Sequence, residues 1–164
     1  MDAELYALAV NVGEALKIRK LMLSTAESCT GGWVGQVVTM VPGSSQWFDR
    51  GFVTYTNDAK REMLGVRAET LKKFGAVSEQ TVREMIEGAL SRSKAQLALA
   101  VSGIAGPGGA SAGKPVGTVC LAWGRKNGAP PNSVVHHYAG DRDTVRRLSV
   151  IAALEGVLAL LESP

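Results

Sequence analysis

The sequence predicts one α/β domain built on a mixed sheet. Three observations carry that prediction. Helix-type and strand-type apolar spacings follow one another in the order αβαβαααβββα. The 164 residues suit one domain, and a chain of that size buries roughly two-thirds of its unfolded surface, so it folds without disulfides or a metal. No repeat, low-complexity segment or linker divides residues 1–164, which are expected to form a single unit.

Each element has a local reason. Leu5, Leu8, Ala9, Val12 and Leu16 share a helical face over about 3–20, with Asp2 placed to cap it. A short buried strand follows at 21–26, then a helix over 30–40 with Val34, Val37, Val38 and Val41 as its stripe. Pro42-Gly43-Ser44-Ser45 is a turn, and 48–56 a second strand. Asn57 reads as the N-cap of a short helix, 58–64, that stops at Gly65. Another short helix covers 68–74. Ser78 caps a longer one with Val82, Met85, Ile86 and Leu90 inward. Strands at 97–102, 116–123 and 133–138 are separated by a glycine-rich loop, 103–114, and a second loop, 124–132. Gly140-Asp141 opens the last helix, which runs to about 161.

Composition narrows the function classes. The net charge is +3 and the pI about 9.0, but the basic residues are scattered and aromatics make up 5%. That argues against a nucleic-acid surface and leaves room for a small anionic substrate. No apolar run reaches membrane-spanning length. The acidic, helical N-terminus does not resemble a signal peptide, and Cys29 and Cys120 form no disulfide or zinc pattern. A cytoplasmic protein with no membrane or nucleic-acid partner is expected.

Several motif matches fail on context. Residues 109–113 fit G-x-S-x-G, yet glycines and Pro107 precede them where a strand is required. Ser91 to Lys94 fit S-x-x-K at the polar end of a helix. His136 and His137 are neighbours on a strand, so their side chains face opposite ways, and a Ser-His-Asp triad has little support. Neither phosphate-binding fingerprint, G-x-x-x-x-G-K-[ST] or G-x-G-x-x-G, occurs.

Three loops at strand ends, 26–32, 55–60 and 102–115, carry the chemistry. In AESCTGGW, Ser28, Cys29 and Thr30 stand at a strand-to-helix junction, with Gly31 and Gly32 behind them. The plain reading is a tight turn with Thr30 as a helix cap. The chemical reading puts Ser28 beside unpaired helix amides that hold a developing oxyanion, with the glycines admitting substrate to the backbone. Lys60 stands at N3 if Asn57 is the cap; there the helix dipole and partial burial lower its pKa, so that it can serve as a base. An exposed surface lysine is the other reading. Tyr55 ends the strand before it, and Ser102 ends the strand before the glycine-rich loop. Arg142 and Arg146 lie one turn apart at the start of the last helix, either as phosphate ligands or as partners of nearby acids.

Together the segments TAESCTGGW, GFVTYTNDAKREMLGV, GAVSEQTV, SGIAGPGG with KPVGTV, and GDRDTVRR, in that order, resemble the C-terminal domain of the competence/damage-inducible protein CinA over nearly the whole chain. Stand-alone members of that family are nicotinamide-nucleotide amidases. The resemblance implies hydrolysis of nicotinamide mononucleotide to nicotinate mononucleotide and ammonia in pyridine-nucleotide salvage. It also implies a three-layer α/β/α fold, no cofactor and a homo-oligomer. Its motifs fall on Ser28 as nucleophile, Lys60 as base, Tyr55 and Ser102. The substrate-binding candidates beside them are Thr30, Gly31, Gly32, Asn57, Gly106, Gly108, Arg142 and Arg146.

Two departures qualify the transfer. Relatives often carry an aspartate where Gly108 stands, so no carboxylate role is expected in that loop. Larger CinA proteins also have a pyrophosphatase-like N-terminal domain; nothing in this sequence matches it, and that activity is not expected. Two other readings compete: Cys29 as nucleophile, activated at a helix start, and a nucleotide-binding or interaction domain without catalysis.

Overall fold

The computed structural model describes residues 1–163. The elements are α1 (Ala3–Ile18), β1 (Leu23–Glu27), α2 (Trp33–Thr39), a 3-10 turn (Ser44–Gln46), β2 (Phe48–Val53), α3 (Asn57–Leu64), α4 (Ala68–Phe74), α5 (Glu79–Ser91), β3 (Leu97–Gly103), β4 (Thr118–Arg125), β5 (Asn132–His137) and α6 (Arg142–Glu162). The predicted α/β order is reproduced. Caps set several boundaries: Asp2 accepts from the Leu5 amide, Ser78 from Thr81 and Asp141 from Thr144.

The five strands lie in the order β2-β1-β3-β4-β5. β1 pairs in parallel with β2 and β3, while β3–β4 and β4–β5 are antiparallel, so the sheet is mixed. Strand alternation divides the core into two layers. Leu23, Leu97, Leu99, Val101, Val119 and Leu121 face α1, α2 and α6. Ala26, Ala98, Ala100 and Ala122 face the α3–α5 layer. Small side chains on that second face let helices come close. A Cβ on Gly88 of α5 would run into the Leu64 carbonyl of α3, and one on Gly156 of α6 would run into the Trp123 ring of β4.

Several boundaries differ from the sequence reading. α2 begins at Trp33 rather than Thr30, because Gly31 and Gly32 take φ of 59° and 101°, which break the helical path. The N-cap of α3 is Thr56, whose hydroxyl accepts from the Ala59 amide; Asn57 is the first helical residue, and Lys60 is therefore at N4. β4 begins at Thr118, since Gly117 has φ 94° and the Thr118 amide turns back to the Pro115 carbonyl. Among the described residues no helix is long and apolar enough to cross a membrane.

Candidate active site

The C-terminal ends of the parallel strands β1, β2 and β3 open on one side of the sheet, where ligands of α/β folds bind. Ser28 follows β1 directly. Its amide donates to the Val101 carbonyl at 3.0 Å, which extends the β1–β3 ladder by one residue and fixes the serine backbone. Its hydroxyl faces Lys60, whose Nζ lies 2.9 Å from Ser28 Oγ.

Lys60 is 1% exposed. Its Nζ also donates to the Thr54 carbonyl at 2.9 Å and the Tyr55 carbonyl at 3.1 Å. Among the described residues no carboxylate pairs with it. Burial pushes its pKa down to about 8. As the cation, Lys60 uses its three N–H groups on Ser28 Oγ and the two carbonyls, while the Ser28 hydroxyl donates to the Tyr55 carbonyl at 3.3 Å. Loss of one proton leaves two N–H groups for the two carbonyls and frees a lone pair that can face Ser28 Oγ. Of the two causes expected, burial is the one that drives the shift, and Lys60 stands at N4 rather than N3.

Ser28 and Lys60 open into a cavity of about 320 Å³, walled by Ser102, Ala76, Val77 and the 103–109 loop. That volume lies at the small end of ordinary ligand sites. A larger apolar groove of about 670 Å³ runs between β5 and α6, but among the described residues no hydroxyl in it is hydrogen-bonded to a side-chain base. Chemistry therefore belongs to the smaller cavity.

The helix-start expectation is corrected. The α2 amides are already occupied. Trp33 donates to the Thr30 carbonyl, and Val34 and Gly35 donate to the Glu27 carboxylate at 2.9 and 3.0 Å. Thr30 does not cap α2; its hydroxyl donates to Glu27 at 2.5 Å. Among the described residues the Cys29 amide, beside Ser28, donates to no backbone carbonyl.

A model of the CinA C-terminal domain family matches residues 5–161. The chain belongs to the CinA C-terminal domain family. The nicotinamide-nucleotide amidohydrolase PncC of Escherichia coli K12 is 52% identical over 156 residues, 94% of this chain and 93% of that protein. A protein of the same name from Pseudomonas putida is 50% identical over 153 residues, covering 93% and 94%. The crystal structure of the competence/damage inducible protein CihA from Agrobacterium tumefaciens superposes with a TM-score of 0.91 at 50% identity, over 98% of this chain and 97% of that one. The α/β fold with its mixed sheet is thus that of the CinA superfamily.

Within this CinA domain the candidate residues separate into two groups. Ser28, Lys60, Tyr55, Ser102, Gly106, Gly108 and Arg142 border the cavity. Tyr55 does so differently from the expectation. Its carbonyl meets Lys60 and Ser28, while its exposed side chain turns outward, the hydroxyl 3.3 Å from Arg142 Nη2. Arg142 also donates to the Gly106 carbonyl at 2.7 Å. Thr30, Gly31, Gly32 and Asn57 do not border the cavity. Thr30 is buried on the Glu27 side, and Asn57 is exposed at the start of α3. Arg146 lies behind the turn. It donates to the Cys29 carbonyl at 3.0 Å and the Thr30 carbonyl at 3.2 Å, and its guanidinium sits 5.3 Å from the Trp33 ring centre. It does not border the cavity. Neither arginine forms an ion pair with the neighbouring acids among the described residues.

Cys29 is a poor nucleophile here. It borders the cavity beside Ser28, but it is 7% exposed and packs into the α1–α2–α6 layer, and burial raises its pKa to about 11. His136 stacks on Tyr138 and His137 meets Thr118, both away from the cavity. Sequence reasoning missed Glu27 and the two carbonyls that orient Lys60. The one available signal for Glu27 was an acidic residue closing an otherwise uncharged buried strand.

Proposed function

We propose that this protein is a nicotinamide-nucleotide amidohydrolase that converts nicotinamide mononucleotide and water to nicotinate mononucleotide and ammonia, with Ser28 as nucleophile and Lys60 as base. The observation that carries the mechanism is the 2.9 Å contact between Ser28 Oγ and a buried lysine that has no carboxylate partner among the described residues. The substrate class comes from relatives about half identical over nearly the whole chain.

Neutral Lys60 takes the Ser28 proton as Oγ bonds to the carboxamide carbon. The carbonyl electrons move to oxygen, and the Cys29 amide and the glycine-rich loop supply donors to that oxygen. As the tetrahedral carbon collapses, the C–N bond breaks, and Lys60 returns its proton to the departing nitrogen, giving ammonia and an acyl-serine. Water then attacks, loses a proton to Lys60, and the ester bond breaks to restore the Ser28 hydroxyl. Ser102 positions the carboxamide from β3. Tyr55, turned away from Lys60, serves as a wall beside Arg142 and not as the proton relay. Arg142 receives the 5′-phosphate. The same reading places the enzyme in NAD salvage in the cytoplasm, working as a homo-oligomer; two free, buried cysteines suit a reducing compartment.

Ammonia release over nicotinamide mononucleotide, its riboside, free nicotinamide and NAD tests the proposal. Turnover of the mononucleotide well above the other three is expected. Tight mononucleotide binding with no ammonia would favour the non-catalytic domain instead.

A further inference from the structure

We propose that Glu27 is a positioning residue that holds the nucleophile turn in its reactive shape. The inference rests on the amidase reading of Ser28. Glu27 ends β1 on the face shared with Leu23, toward α2, whereas Ser28, the next residue, turns toward Lys60 of α3. The Glu27 side chain is 2% exposed. Its Oε1 accepts from the Thr30 hydroxyl at 2.5 Å and the Val34 amide at 2.9 Å, and its Oε2 accepts from the Gly35 amide at 3.0 Å.

These donors belong to α2 and to the turn leading into it. The N-cap of α2 is Gly32, which has no side chain to offer, so the buried Val34 amide would be orphaned without Glu27. A carboxylate from the preceding strand replaces the cap and pins Thr30 inward in the same stroke. Arg146 holds the opposite side of the turn by the Cys29 and Thr30 carbonyls. Ser28 therefore sits between a ladder bond to Val101 and a turn gripped on both sides. Glu27 itself does not border the cavity. Its loss should displace the nucleophile while leaving the substrate contacts in place.

The test compares Glu27→Gln, Thr30→Val and Thr30→Ser with the unaltered enzyme. Two readouts are taken per folded molecule: steady-state ammonia release, and the rate at which a fluorophosphonate probe labels Ser28. In Glu27→Gln one carboxylate oxygen becomes an N–H donor facing an amide. Both kcat and the labelling rate should fall roughly 10- to 100-fold, the scale on which small misplacements of a reacting group are felt, with KM changed less than about threefold. Thr30→Val, which keeps the shape and deletes the hydroxyl, should show a smaller loss of the same kind. Thr30→Ser should restore it. The Thr30 pair decides the matter if Glu27→Gln does not fold. Labelling and kcat within about twofold of normal in Thr30→Val and in any folded Glu27→Gln would overturn the proposal. So would equal losses in Thr30→Val and Thr30→Ser, or an unlabelled Ser28 in the unaltered enzyme. Normal labelling without ammonia release would instead overturn the amidase reading and leave the positioning role standing on the labelling rates.

Discussion

At Lys60, stability and reactivity pull in opposite directions. The amine is buried with no carboxylate partner among the described residues, and its pKa falls from 10.5 to about 8. The unfolded chain keeps that proton up to the higher value, the folded chain only to the lower. Between the two, the unfolded state binds more protons, so stability rises with pH across that window. A shift of that size corresponds to about 3 kcal/mol. Urea denaturation of the wild type against Lys60→Met should show the wild type gaining up to that amount between pH 8 and 10.5, whereas parallel curves would mean that Lys60 is not destabilised as a cation. The same titration sets the rate. Turnover should rise with pH through about 8 as the lone pair is freed. Lys60→Arg should be as inactive as Lys60→Ala, because a guanidinium cannot give up its proton at working pH. An active arginine variant with the same acidic limb would remove lysine from the mechanism.

At the scale of elements, two of the three arginines of α6, one turn apart, have different tasks. Arg142 borders the cavity, while Arg146 grips the turn below it. Arg142→Ala should raise KM for the mononucleotide roughly ten- to a hundred-fold and barely affect the riboside, as loss of a charge-assisted phosphate contact would. Arg146→Ala should lower kcat for both substrates alike. The reverse pattern, read from steady-state kinetics on the pair, would exchange their roles. Most elements were legible in the sequence because their signals are local: apolar spacing, Asp2 and Ser78 as caps, Gly65 as a stop. That Ser28, Lys60 and Ser102 border one cavity was legible because Ser28 and Ser102 stand at strand ends and Lys60 lies on the helix just after β2, all in recognisable motifs. The hold of Arg146 on the turn was not legible because its partners, Cys29 and Thr30, lie more than a hundred residues away. Glu27 was missed because a carboxylate that caps a helix seven and eight residues later follows no periodic pattern. The Thr56 cap was overlooked in favour of Asn57, since both residue types cap helices and only backbone geometry separates them.

At the scale of the molecule, a sheet between two helical layers brings Ser28 from one strand end to Lys60 from the α3 layer. How closely α3 packs then matters for chemistry. Gly88→Ala would press on the Leu64 carbonyl, one turn after Lys60, and should lower both stability and turnover. Gly156→Ala would press on Trp123, about 20 Å along α6 from Arg142, and should cost about 1–3 kcal/mol while the folded fraction keeps its kcat. Thermal melts paired with activity per folded molecule distinguish the two; equal kcat loss in both would mean that packing disturbs the site globally. The central claim is that Ser28, and not its neighbour Cys29, attacks the carboxamide. Ammonia release from nicotinamide mononucleotide by Ser28→Ala and Cys29→Ala tests it most directly. The account predicts that Ser28→Ala loses about a thousandfold or more while still binding the nucleotide, and that Cys29→Ala keeps most of its turnover. Near-normal turnover in Ser28→Ala with loss in Cys29→Ala would contradict it.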